Sequence, residues 1–220
     1  MLQRLFVEGH RSEEEVDYFN GWPSIEPRQM LKLCLLQLSD VCLQAGASTL
    51  AESLDISCLE RLDINNCRNT GPLLRRLSQA LGMSNKNSLT VLVRTSSDKE
   101  EDYKASSELV NAAHKLKDLF ISTRVGPLLD FEHLEGCGAA LESLKIDLGD
   151  PEEFHPPEAL VQLSAKCPNL RTLGLSLVDL DDEIRGLEKL QPLHLSTSTS
   201  LTPIQSLYAD SLVRTYKSRL

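Results

Sequence analysis

A six-residue template, L-x-x-L-x-[LIV], returns along the chain. It begins at Leu2 (LQRLFV), Met30 (MLKLCL), Leu59 (LERLDI), Leu89 (LTVLVR), Leu116 (LKDLFI), Leu141 (LESLKI), Leu170 (LRTLGL) and Leu190 (LQPLHL). Met30 stands for the first leucine of its copy, and Arg94 occupies the last apolar place of another. One copy would mean little in a leucine-rich chain, but copies at roughly 25 to 30 residues over the first six intervals mark a repeated supersecondary unit. The fourth and sixth template residues lie two apart and share a face in an extended strand: Leu62 with Ile64, Leu119 with Ile121, Leu144 with Ile146, Leu173 with Leu175. So short a strand cannot bury that face alone, and the units must stack.

Between the templates lie segments with helical spacing. Pro72 opens LLRRLSQAL, which puts Leu73, Leu74, Leu77 and Leu81 on one stripe; Pro127 opens LLDFEHLEG; Pro157 opens EALVQLSAKC, with Leu160, Leu163, Ser164 and Cys167 on one stripe. Asp181, Asp182 and Glu183 precede Ile184 and Leu187, a charge order suited to a helix N-terminus. Each unit is expected to be one strand and one helix. The exception is TSSDKEEDYKASSE, residues 95 to 108, which reads as an acidic, solvated insertion between strand and helix; its DKEEDY run lacks the spacing of a calcium loop.

This pattern resembles a leucine-rich repeat protein. The stretch ALVQLSAKCPNLRTLGLSL is similar to the cysteine-containing repeats of F-box-associated leucine-rich proteins, and the longer units resemble the ribonuclease-inhibitor type. The resemblance spans Leu2 to about Leu195. It implies a right-handed α/β solenoid, with a parallel concave sheet of about seven or eight short strands, near 2–7, 30–35, 59–64, 89–94, 116–121, 141–146, 170–175 and 190–195, and convex helices. Such families usually carry Asn or Cys three residues after the template, and Cys67 holds that place after Ile64. The array is expected to occupy residues 1–200. Beyond it, Thr202 and Pro203 open a stripe of Ile204, Leu207, Tyr208, Leu212 and Tyr216, expected to be a capping helix over 202–218. Met1 and Leu2 begin directly inside an expected strand, so a truncated fragment, or a regulatory or sensor domain of a larger leucine-rich repeat protein without autonomous activity, stands as the alternative to a self-sufficient module.

In such an array the residues between the buried leucines form the exposed columns of the concave face, where partners bind. The apolar members Phe6, Cys34, Leu36, Val91, Val93 and Phe120 suit an interface centre, with Arg61, Asp63, Lys145 and Asp147 as its polar rim; Lys32, Pro192 and His194 fall in the same columns. The alternative is that these residues merely favour strands and pack on one another.

The other readings are mostly exclusions. With 32 acidic against 23 basic residues the net charge is −9, which repels phosphate backbones and argues against nucleic acid and anionic membrane as partners. The six cysteines, Cys34, Cys42, Cys58, Cys67, Cys137 and Cys167, form no C-x-x-C pair, and no continuous apolar leader opens the chain, so a reducing cytoplasmic or nuclear setting is expected. Cys58, Cys137 and Cys167 each precede a strand, a place for a small buried thiol. His10, His114, His133, His155 and His194 are scattered and show no ligand spacing. No nucleophile-elbow, phosphate-loop, dinucleotide or zincin motif occurs. The expectation is a non-catalytic protein-interaction module without metal, cofactor or small-molecule substrate. By resemblance, one version is substrate recognition for a ubiquitin-ligase adaptor.

Overall fold

The computed structural model describes residues 3–9, 19, 30–44, 46–83, 87–95, 100–123, 131–148, 162–163, 165–174 and 194–195. These hold eight strands: β1 (Arg4–Glu8), β2 (Leu35–Ser39), β3 (Arg61–Asn65), β4 (Val91–Thr95), β5 (Asp118–Thr123), β6 (Ser143–Leu148), β7 (Thr172–Gly174) and β8 (His194–Leu195). They form one sheet, every pair parallel, with strand order equal to chain order. Parallel neighbours need a crossover between them. Helices α1 (Ala47–Glu52), α2 (Gly71–Met83) and α3 (Glu100–Ala112) supply three of these, and short 3-10 turns lie at Ile56–Cys58 and Phe131–Leu134.

The register turns the leucine template into continuous rows. Leu5, Leu36, Leu62, Leu92, Leu119, Leu144, Leu173 and Leu195 stand opposite one another across the eight strands. Two residues on, Val7, Leu38, Ile64, Arg94, Ile121 and Ile146 form a second row on the same face. A third layer comes from the template's first leucine. Leu59, Leu89, Leu116, Leu141 and Leu170 are at most 1% exposed, yet each sits just before its strand, outside the ladder. The strands therefore begin about two residues later than the template does. Leu73, Leu74, Leu77 and Leu81 of α2 meet the rows in one continuous core, as the leucine stripe predicts. Each such side chain contributes roughly 1.5 to 3 kcal/mol by leaving water.

Several expectations are corrected. MLKLCLLQL offers leucines in two frames, and the chain uses the later one: Leu33, Leu36 and Leu38 are buried, and Leu36 pairs with Leu62. Leu36 is thus a core residue at 0% exposure, while Lys32 and Cys34 precede the strand. The frame begun at Met30 would turn Leu36 and Leu38 to water, because the two frames differ by three residues and an odd offset inverts every side chain. In the last unit Leu195 stands opposite Leu173 and His194 opposite Thr172, so His194 takes the place in the columns expected of Pro192, which lies outside the described residues. Residues 100–112 are helix α3 and not a solvated insertion. Ala105, Leu109 and Val110 are buried at helical spacing among the acids and anchor this helix against α2. Residues 131–134, read as part of an α-helix, form a 3-10 turn. The capping helix at 202–218, and the helix starts at Pro127, Pro157 and Asp181, lie outside the described residues.

The turns that leave the strands have their own chemistry. Asp40, Asn66 and Asn69 hold φ of 54°, 51° and 55°, a region these short polar side chains tolerate better than most. Asn66 Nδ2 donates to the Asp40 carboxylate of the preceding unit. Arg68 N–H donates to Val41 O at 2.9 Å, so successive turns are tied together. Cys67 is 3% exposed there, its Sγ 3.4 Å from Asn65 O.

Candidate functional site

Alternation leaves the second face of the sheet to residues between the leucine rows. The ladder aligns Arg61, Val91, Asp118 and Ser143 in one column, and Asp63, Val93, Phe120 and Lys145 in the next. In a third, Asn65, Thr95, Ser122 and Asp147 follow one another. Six of the seven residues expected at the interface thus fall on this face of four adjacent strands, β3 to β6, and Asp147 holds the register position opposite Ser122. Of those expected with them, Phe6 lies on the same face of β1, whereas Leu36 does not.

Val91, Val93 and Phe120 are half-buried and adjacent across β4 and β5. Cations flank them. On one side Lys145 Nζ lies 5.4 Å from the Phe120 ring centroid, the geometry of a cation–π contact. On the other, Arg61 Nε donates to both Asp63 oxygens at 2.9 and 3.1 Å. Asp63 is only 6% exposed although it belongs to the open column, because Arg61 lies over it; the Arg61 side chain itself is 45% exposed. The exposed guanidinium is therefore fixed in place by a carboxylate beneath it. Arg61 and Lys145 stand on strands three steps apart, about 14 Å at the usual strand spacing. Thr95 Oγ1 bonds Asn65 Oδ1 at 3.3 Å, so part of the third column is internally paired.

Where β5 and β6 begin, Lys117 Nζ meets Glu142 Oε1 at 2.8 Å. The hydrogen bond raises the Lys117 pKa and lowers that of Glu142, with their mutual attraction adding to both shifts. Both groups are exposed, and such a pair contributes little to stability.

Sequence reasoning missed a polar cluster inside the fold. Arg94 stands in the second core row between Ile64 and Ile121 and is 4% exposed; its Nη1 donates to Asp102 O at 2.9 Å. Burial pulls the Arg94 pKa down to about 10, against the attraction of Asp102, so the guanidinium keeps its charge at neutral pH. Asp102, 3% exposed on α3, accepts Gly71 N–H at 2.6 Å and Thr70 N–H at 3.3 Å, which places a carboxylate on the N-terminus of α2. Gly71 allows this approach, since a Cβ there would lie 2.9 Å from Asp102 Oδ1. The one signal in the sequence was Arg94 itself, a charge in an apolar template position.

The thiols of Cys137 and Cys167 are fully buried, and burial pushes them up to about 12 and about 11. Cys58 differs from the expectation: it is half-buried, with Sγ 3.7 Å from Asp55 Oδ2. His114 is exposed, its Nδ1 3.0 Å from Gly136 O. Among the described residues no cluster of three His, Cys, Asp or Glu side chains could hold a metal ion, and no helix is long and apolar enough to cross a membrane. No protein-family model and no curated protein matches the chain.

Proposed function

We propose that this protein is a non-catalytic interaction module of the leucine-rich repeat kind, a solenoid that holds a protein partner on the open face of its sheet. The observation that carries the reading is the patch of Val91, Val93 and Phe120, half-exposed on a face that the leucine rows leave free, between an anchored Arg61 and Lys145. An apolar centre with arginine and aromatic side chains and a charged rim is the composition of a protein-binding surface. The excess of acid over base across the chain favours a protein over nucleic acid or an anionic membrane as the occupant. Recognition of a ubiquitin-ligase substrate, in the cytoplasm or nucleus, is the version that the family resemblance favours.

The test is affinity purification from native lysate with the parent chain and with a variant changed at Arg61, Val93 and Phe120 together. All three point away from the leucine rows, but loss of Arg61 uncovers the Asp63 carboxylate, so the comparison is made at a temperature where circular dichroism shows both chains folded. A partner recovered by the parent and lost by this variant supports the proposal. A partner retained by the folded variant removes it.

A further inference from the structure

We propose that the chain pairs with a second copy of itself through β1, antiparallel and centred on Phe6. Among the described residues β1 has one neighbour, β2, and stands at the edge of the sheet. Its backbone is divided between the two sides. Gln3 O accepts from Leu35 N–H, and Gly9 N–H donates to Ser39 O. By the alternation of a parallel ladder Leu5 and Val7 also bond to β2, which directs the N–H and C=O of Arg4, Phe6 and Glu8 toward the open edge.

The side chains of β1 are also short of cover. Leu5 and Val7 belong to the two core rows, yet both are only half-buried, whereas their counterparts on β2, Leu36 and Leu38, are at 0%. Phe6 is 60% exposed, and among the described residues only Met83 is a more exposed large apolar side chain.

The sequence Arg4-Leu5-Phe6-Val7-Glu8 is complementary to itself when reversed. Phe6 then meets Phe6 of the second copy, Arg4 meets Glu8, and Leu5 meets Val7. This register pairs all three outward-directed residues on each copy. A shift of one sets outward groups against Leu5 or Val7, which are committed to β2; a shift of two leaves one outward residue without an opposite and sets Arg4 against Phe6. The two-fold axis passes between the Phe6 rings, perpendicular to the sheet, so both open faces remain on one side. Such a pairing closes on itself and covers the β1 edge, where an unpaired edge invites open-ended association. Charged residues at both ends of β1 penalise other registers.

The experiment is sedimentation equilibrium of the full chain from micromolar to sub-millimolar concentration, with circular dichroism as the check on folding. The parent should show a monomer–dimer equilibrium. R4E and E8R each place like charges opposite one another twice per dimer and should raise the dissociation constant about tenfold or more. The double variant R4E/E8R restores both opposite-charge pairs and should return to within about threefold of the parent. An equimolar mixture of R4E and E8R should form a heterodimer, because Glu meets Arg at both ends. A parent that stays monomeric throughout, associates without limit, or forms a dimer that the double variant and the mixture fail to restore would overturn the proposal.

Discussion

Removal of Asp102 should be far more damaging than removal of Arg94, although the two belong to one buried cluster. In Asp102→Ala the Gly71 and Thr70 N–H groups lose their acceptor at the start of α2, a loss of about 1 to 2 kcal/mol for a helix cap. The same change leaves the Arg94 guanidinium, 4% exposed, without its nearby carboxylate. The Arg94 bond to the Asp102 backbone carbonyl survives the change, so losing the attraction of the carboxylate adds less than the roughly 3 to 5 kcal/mol of a broken buried ion pair. Arg94→Leu is different in kind. It returns an apolar side chain to the row of Ile64 and Ile121, and Asp102 keeps both backbone donors, so the expected change is within about 1 kcal/mol of zero. In the Arg94→Leu background, Asp102→Ala should cost only the cap, which makes the coupling between the two sites about 2 kcal/mol. Urea unfolding followed by circular dichroism measures this as shifts of midpoint at constant slope. If Arg94→Leu destabilises as much as Asp102→Ala, or the double variant is the sum of the singles, the cluster does not work as described.

Other changes probe the core, the thiols and the acid limb. Leu144→Asp or Leu173→Asp buries a carboxylate at a position that is 0% exposed, and thermal unfolding should lose its cooperativity; a parent-like melt would refute the strand assignment. Brief alkylation of the folded chain at pH 8, read by mass spectrometry, should modify Cys34 and Cys58 and spare Cys137 and Cys167, whose thiols are buried and pushed up to about 12 and about 11; labelling of all four at one rate would contradict their burial. Hydrogen bonding from the Ser57 side chain lowers the Asp55 pKa below its ordinary 3.8. The stabilisation is then present above that value and fades as pH falls through the folded-state pKa, so Asp55→Asn should lose less stability than the parent on acidification, and equal acid sensitivity would remove Asp55 from that account.

The rows of the core could be read in the sequence because a leucine every second residue in a strand, and at i, i+3 and i+4 in α2, points one way whatever lies on the far side. Frame was harder. MLKLCLLQL satisfies the template twice, and the choice rests on which leucines find cover in β3, a tertiary fact. Helix α3 was obscured by its acids: Asp102 reads as a solvated charge until α2 is placed beside it. The open-face columns followed from alternation alone for β3 to β6. The sequence held no sign that Asp63 would lie beneath Arg61, since their burial arises from packing across the columns.

The claim that a partner occupies the open face meets its most direct test in lysine footprinting. With the recovered partner bound, acetylation of Lys145, beside Phe120, should fall sharply, while Lys104 on the exposed side of α3 should react as in the free chain. Protection of Lys104 with Lys145 unchanged would place the partner on the helices and contradict the account.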